Sequence, residues 1–384
     1  MKIHRAYKFK LRTTDRQAEQ LSRFAGCCRL IWNKVLNMQK ERLDRGERVL
    51  RYGQISAELP KWKQELPFLA EVHSQPLQQS LMDLDRALQD AFCKTKGFPK
   101  FKKKFQHDSF RYPQGTKLDG DKIYLPKIGW FEFRKSREIE GTIKNVTVSK
   151  TINKWYVSVQ VEFEVPEPVH PSNTQVGIDM GVIRFATMSD GTVIQPISIF
   201  RKLEPKLAKE QRKLARKIKF SNKWKKQKTK IQKVHHRIAS VRGDFLHKTT
   251  TEIAKNHGTI AMEDLKVKNM SKSAKGSIDE PGTNVAAKSG LNKSITDQGW
   301  YEFKRQLTYK QQWSGGKVVL VNPMNSSRTC SRCNHCAAEN RRSQALFQCQ
   351  SCGYCDNADL NAAKNILAAG QAVLAHGNIR QFAV

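Results

Sequence analysis

Gln175-Val-Gly-Ile-Asp-Met-Gly181 sets one carboxylate, Asp179, in an apolar strand between two glycines. A carboxylate buried there is costly unless a cation or another polar partner meets it. Downstream, Asp190-Gly191 is a hairpin turn, and helical periodicity runs from about Phe200 to His257. A second strand, Thr259-Ile-Ala-Met-Glu263, again ends in a carboxylate, at the position where α/β sheets commonly expose their chemistry; Asp264 beside it is expected to face elsewhere. A third carboxylate, Asp359, opens Asp359-Leu-Asn-Ala-Ala-Lys-Asn-Ile366 at the N-terminus of a final helix, where an ordinary cap is the simpler explanation. Phosphodiester hydrolysis commonly uses two divalent ions about 4 Å apart, which converging carboxylates must hold. Asp179, Glu263 and Asp359 are therefore candidates for such a catalytic divalent-ion site. Each also has a structural reading, and spacing alone does not choose between them.

Between the second and third carboxylates lie Cys330-Ser-Arg-Cys333 and Cys349-Gln-Ser-Cys352. Two C-x-x-C pairs at this separation can surround one tetrahedral zinc. Cys336 and Cys355 each sit three residues past a pair and could substitute. However, Asn334 and Gly353 follow the pairs and tolerate the left-handed turn of a zinc knuckle, which assigns the ligands to Cys330, Cys333, Cys349 and Cys352. Four sulfurs with no open position or nearby base predict a structural zinc that keeps Asp359 in register with the earlier strands.

Lys and Arg number 69 against 35 Asp and Glu, a net charge of +34, with an ordinary hydrophobic share of 39%. Such an excess implies a polyanionic partner. No apolar run of 18 residues exists and the N-terminal stretch is basic and alternating, which favours nucleic acid over a membrane and a reducing cytosol over secretion. Between Arg201 and Arg237, sixteen basic residues meet two acids, while Leu203, Leu207, Leu214, Ile218, Ile231, Val234 and Ile238 keep helical spacing. One face is expected to pack and the others to bind phosphate, through Lys213, Arg216, Lys217, Lys225 and Lys226 among others. A second patch, Lys100, Lys102, Lys103 and Lys104, is interleaved with Phe98, Phe101 and Phe105, expected to pack rather than stack on bases.

The N-terminal half reads as a strand, Lys2 to Leu11, then a Thr14-x-x-Gln17 capping box opening a helix with Leu21, Phe24, Cys28, Ile31, Val35 and Met38 on one face. A second helix follows on Leu77, Leu81, Leu84, Leu88 and Phe92. Alternating strands succeed it, with Val157, Val159, Val161 and Phe163 the clearest. Together with the first strand they suggest a barrel. Pro166, Pro168 and Pro171 mark the boundary between halves. Residues 266–297, rich in Ser, Lys, Gly and Asn, are expected to be a mobile lid. A helix from Trp300 to Trp313 and a strand Lys317–Val321 precede the cysteines.

GIDMG, AMEDL and DLNAAKNI, the last following a cysteine cluster, resemble in order and flanks the three motifs of the RuvC-type nuclease domain in TnpB proteins. Arg242-Gly-Asp-Phe-Leu-His-Lys248 and Gly299-Trp-Tyr-Glu-Phe-Lys-Arg-Gln-Leu307 also resemble that family. The likeness implies an α/β RNase H-like fold and an RNA-guided DNA endonuclease of a bacterial insertion sequence, related to type V CRISPR effectors. It further implies Asp179, Glu263 and Asp359 as ligands of two magnesium ions, one zinc, a guide RNA from the element's own locus, and double-stranded DNA as target. The expected organisation is a β-rich wedge-like module (1–13 and 97–168), a helical recognition subdomain (14–96), a RuvC-like domain (174–325 and 357–384) and a zinc ribbon (326–356). Tyr52 and Gln78 lie in segments matching those that read a short target-adjacent motif, with His73, Ser74 and Gln75 nearby. A monomer acting at the nucleoid is expected. The competing readings are a cleavage-inactive RNA-guided repressor and a DNA transposase.

Overall fold

The computed structural model describes residues 1–104 and 106–376, in two compact units that meet in sequence at Pro166 and Glu167. The expected aromatic Phe105 and the last residues of the 357–384 segment lie outside the described residues.

In the first unit, strand β1 (Lys2–Arg12) leads into helices α1 (Asp15–Asp44), α2 (Tyr52–Ala57), α3 (Leu59–Glu65) and α4 (Ser74–Phe92). Six strands follow, β2 (Ser109–Tyr112), β3 (Lys117–Asp119), β4 (Lys122–Leu125), β5 (Gly129–Phe133), β6 (Thr142–Thr151) and β7 (Lys154–Glu164). The Thr14 hydroxyl accepts from the Gln17 N–H at 3.3 Å and the Gln17 side chain accepts from the Thr14 N–H at 3.0 Å, the reciprocal cap that starts α1. Leu21, Phe24, Ile31 and Val35 bury against Leu77, Leu81, Leu84 and Leu88 of α4 in one core. Cys28 belongs to that core as a packing residue, and burial pushes its thiol up to about 12.

The strands form one sheet in the order β2-β6-β7-β1-β5-β4-β3. The expected barrel does not close through hydrogen bonds, because β2 and β3 remain separate edges. β1 serves both halves: Lys2 to Lys10 pair with β7, and Leu11 and Arg12 turn to β5. β3, only three residues long, ends the sheet at a short edge.

The second unit runs β8 (Gln175–Asp179), β9 (Ala186–Met188), β10 (Val193–Ile194), α5 (Ile199–Ala215), α6 (Asn222–Asn256), β11 (Thr259–Glu263), α7 (Val267–Met270), α8 (Val285–Gln298), α9 (Trp300–Ser314), β12 (Lys317–Val321), β13 (Leu346–Gln348), β14 (Cys355–Asn357) and α10 (Ala358–Ala375). Its main sheet has the order β10-β9-β8-β11-β12, with β8, β11 and β12 parallel and β9 antiparallel to β8. Side chains alternate across a strand, and here the alternation divides two layers. Val176, Ile178, Ile260 and Met262 join Leu246, Ile253, Phe303 and Leu307 of α6 and α9. On the other face, Ala261, Val319 and Val321 pack with Ile366 of α10. That helix comes so close that a Cβ on Gly177 would lie 2.1 Å from the Ala363 carbonyl oxygen, and one on Gly370 would lie 2.5 Å from the Ala261 Cβ.

Two expectations need correction here. Residues 266–297, expected to lack regular structure, contain α7 and most of α8. A single buried apolar residue, Ile295, and the buried Asp297, whose carboxylate accepts from the Phe200 N–H, dock α8, so apolar periodicity is nearly silent there. Ile218 is not part of a packed face: α5 ends at Ala215, and Ile218 sits 83% exposed in the turn before α6, whereas Leu207, Ile231, Val234 and Ile238 are buried as expected.

Candidate metal centre and nucleic-acid surfaces

Strand parity brings two of the carboxylates together. Gly177 and Ala261 are paired across β8 and β11, and Asp179 and Glu263 lie two residues further on, on the same face as α10 and at the C-terminal ends of adjacent parallel strands. The third arrives on the helix. Asp359 shares a stripe with Ala363, Ile366 and Gly370, the residues that approach the sheet, because steps of three and four fall on one helical face. Asp359 is not the cap of α10: the Asn357 side chain accepts from the N–H groups of Asp359 and Leu360 and caps the helix. The Asp359 carboxylate is thus released from the capping role that explained it most simply.

Burial first, and then the charges of Glu263 and Asp359, push the Asp179 carboxyl up to about 7, opposed by Arg341 and by the Met180 N–H. Glu263 is buried, which raises its carboxyl too; the Ser326 hydroxyl donates to its Oε1 at 2.6 Å and opposes the rise. Arg184 and Arg341 both approach Asp359, each at 3.8 Å, and Arg184 also donates to the Asn357 side chain at 3.0 Å. Asp179 and Glu263 have no such cationic partner among the described residues. Excess negative charge, partly desolvated and offering only oxygen donors, fits a hard divalent cation such as magnesium. Asp264 turns to Lys266 and Lys304, whose hydrogen bonds hold its carboxyl below the usual range.

The cysteines close a second centre. The Sγ atoms of Cys330, Cys333, Cys349 and Cys352 all lie within 4.8 Å of one another, with Cys330 to Cys352 at 3.7 Å and Cys333 to Cys349 at 3.5 Å. Tetrahedral zinc with bonds of about 2.3 Å needs sulfurs roughly 3.8 Å apart, so these four can hold one zinc. The two knuckles are built alike. Asn334 and Gly353 have φ of 61° and 70°, and their N–H groups donate back to the Cys330 and Cys349 carbonyls. The Cys352 N–H donates to the Cys349 sulfur at 3.5 Å and draws that thiol down to about 6. Cys336 and Cys355 stay outside the cluster.

Two asparagines, Asn361 and Asn365, and Ser326 tie the centres together, a linkage that no metal-ligand spacing announces. The Asn361 side chain accepts from the Ser331 N–H and donates to the Thr329 carbonyl, next to Cys330. Asn365 donates to the carbonyls of Ser326 and Thr329, so the loop that supplies Ser326 to Glu263 is clamped to the helix that carries Asp359. Asn361 and Asn365, four apart in DLNAAKNI, were the available signal. Arg184 and Arg341 had none.

The basic candidates divide. Arg216, Lys225 and Lys226 are exposed on the α5–α6 hairpin, and Lys217 is half-buried. Lys213 pairs with Glu210 at 3.5 Å. Lys100, Lys102 and Lys103 are exposed, and the Lys102 ammonium lies 3.7 Å from the Trp32 ring centroid, with its pKa lowered by desolvation. Lys104 is not a free charge. Lys40 sits over Phe98 and Phe101, which remain 39% and 44% exposed. Tyr52 and Gln78 are half-buried, Tyr52 against the first core, as are His73, Ser74 and Gln75. Among the described residues, no helix is long and apolar enough to cross a membrane.

Family models match along the chain: OrfB of IS605, described as a "Probable transposase", over residues 158–274, a Cas12f1-like TNB domain over 300–366, and a helix-turn-helix domain over 1–48. In that last stretch the structure has one strand and a single 30-residue helix. The chain is 54% identical to InsQ of Escherichia coli (strain K12), named as an RNA-guided DNA endonuclease, over 99% of this chain and 96% of InsQ. A Streptomyces pristinaespiralis protein of the same designation is 35% identical over 98% and 92%. A solved Cas12f1 chain, from its complex with guide RNA and target DNA, shares the fold with a TM-score of 0.59 at 16% identity, over 92% of this chain and 83% of that one.

Proposed function

The chain belongs to the TnpB, or OrfB, family of RNA-guided DNA endonucleases, and from that premise we propose that it cleaves double-stranded DNA at sites chosen by a guide RNA, with Asp179, Glu263 and Asp359 as its catalytic carboxylates. What supports the reading is that Asp179 and Glu263 end adjacent parallel strands while Asp359 lies on the helix packed against them, and that burial, then the charges of Glu263 and Asp359, lift the Asp179 carboxyl to about 7. They would hold two magnesium ions, which when bound activate water and stabilise the leaving oxygen, giving 5′-phosphate and 3′-hydroxyl ends. Ser326 fixes the orientation of Glu263, and Arg184 and Arg341 put positive charge beside Asp359. One site cuts both strands in turn.

The exposed cations of the α5–α6 hairpin suit a guide RNA backbone, since phosphate contacts need charge and little sequence information. Residues 14–96 and the wedge-like module of 1–13 and 97–168 would read the motif beside the target, Tyr52 and Gln78 among them. Residues 174–325 and 357–384 would form the RuvC-like nuclease, with the zinc ribbon of 326–356 supporting it.

The test is cleavage of a plasmid library carrying one guide-matched target beside randomised flanks, by protein co-expressed with its locus RNA. Magnesium-dependent double-strand cuts beside one enriched flank, lost in Asp179→Ala, are expected. Guide-dependent binding without cuts would overturn the reading in favour of a repressor, and strand transfer without RNA would favour a transposase.

A further inference from the structure

At the C-terminal end of β11, bordered by Glu263, is a cavity of about 360 Å³, at the small end of the range of ligand pockets, roughly 300–1,000 Å³. Met180, which follows Asp179, and Glu263 itself line one side. The opposite side is the first turn of α9, with Trp300, Tyr301 and Lys304, from the Gly299-Trp-Tyr-Glu-Phe segment that the nuclease reading leaves without a role. The start of α9 has no side-chain cap, so its first N–H groups are not engaged by one.

The lining has two chemistries. Leu265, Val267 and the Trp300 and Tyr301 rings make it apolar, while Lys266, Lys268 and Lys304 stand at its border. Asp264 bonds two of these lysines and leaves Lys268 exposed. The Tyr301 ring is 67% exposed, an unusual state for an aromatic that borders an apolar cavity. Trp300 is buried, and its indole N–H has no acceptor among the described residues. A flat aromatic face, an unused donor and cations next to carboxylates match one nucleotide with an unpaired base, because every base offers a face for stacking and its phosphate needs positive charge.

Resting on the nuclease reading, we propose that this cavity is the subsite for the nucleotide next to the scissile phosphate, with Tyr301 stacking on its base. Tyr301 is a positioning residue: it holds the strand while the carboxylates act. Stacking is sequence-tolerant, which suits an enzyme whose target is chosen elsewhere.

The experiment uses the full chain with its locus guide RNA and guide-matched DNA in which 2-aminopurine is scanned along the strand to be cut, in calcium, where fluorescence reports stacking without turnover. Magnesium-dependent cleavage of guide-matched DNA is measured in parallel. Quenching at one position by the wild type and by Tyr301→Phe, and its loss in Tyr301→Ala, are expected, together with a KM raised about ten- to a hundredfold in Tyr301→Ala and restored in Tyr301→Phe. Equal quenching and equal KM in Tyr301→Ala would overturn the subsite while leaving the nuclease intact. Quenching that depends on Tyr301 without any cleavage by the wild type would leave a base-stacking cavity but overturn the nuclease reading and, with it, the placement beside a scissile phosphate.

Discussion

The two candidate metal centres of the second unit are assembled in opposite ways. Four cysteines meet through two short knuckles whose geometry repeats almost atom for atom, each with a left-handed residue after its second cysteine. The carboxylates come from two strand ends and a helix separated by as many as 180 positions, and nothing local brings them together. The first centre is written in spacing, the second in strand parity and in the closeness of α10. A consequence is that the first should fail by loss of its ligands, and the second by disturbance of packing far from any ligand.

The largest effect is expected at the cysteines. Cys349→Ser should reduce bound zinc from one per chain to none, measured by chelator release, and unfold the ribbon, since structural zinc commonly contributes about 10 kcal/mol of folding free energy. Cys336→Ser and Cys355→Ser should keep full zinc, because neither sulfur joins the cluster. Full zinc in Cys349→Ser would erase the contrast.

Next is Gly177→Ala. A single methyl there would press on the Ala363 carbonyl and on Leu367 of α10, so the helix must move and take Asp359 with it. A stability loss of about 4 kcal/mol by denaturant unfolding, with cleavage lost while zinc stays bound, is the expected outcome.

The third runs the other way. In magnesium-free buffer with zinc retained, the raised Asp179 carboxyl means that the folded chain holds a proton the unfolded chain has released between about pH 4 and 7. Stability should therefore fall as pH rises through that window, and Asp179→Asn should remove this slope and be about 3 kcal/mol more stable than the wild type at pH 8. Thermal unfolding across pH 4–8 checks it; a destabilised Asp179→Asn would mean that the carboxylate is satisfied by the protein alone.

The smallest is Ser326→Ala, which removes the hydroxyl from Glu263. About 1 kcal/mol in stability and a several-fold fall in kcat are expected, with zinc unchanged.

Much of this was legible because it is periodic or local. The α1 face, the α4 face from Leu77 to Leu88 though not the exposed Phe92, the alternation of β7 and the four clustered sulfurs each follow from residue type at fixed steps. What escaped depends on tertiary partners. α8 is held by Ile295 and by a carboxylate bonded to the Phe200 N–H 97 residues away, and no composition rule reports that. That Lys102 lies over Trp32 is likewise a tertiary contact. Asp359 looks like a cap until Asn357 takes the role. The three acids stood out as candidates by residue type and family resemblance, and their company, Ser326, Arg184 and Arg341, came only from the fold.

The most direct test of a single centre built from three distant carboxylates is a manganese titration of the zinc-loaded full chain, followed by electron paramagnetic resonance. The account predicts a spin-coupled pair of ions in the wild type that is lost in Asp179→Asn, Glu263→Gln and Asp359→Asn alike, each with zinc retained. A coupled pair that survives in Asp359→Asn would contradict it, and would place the helix outside the site.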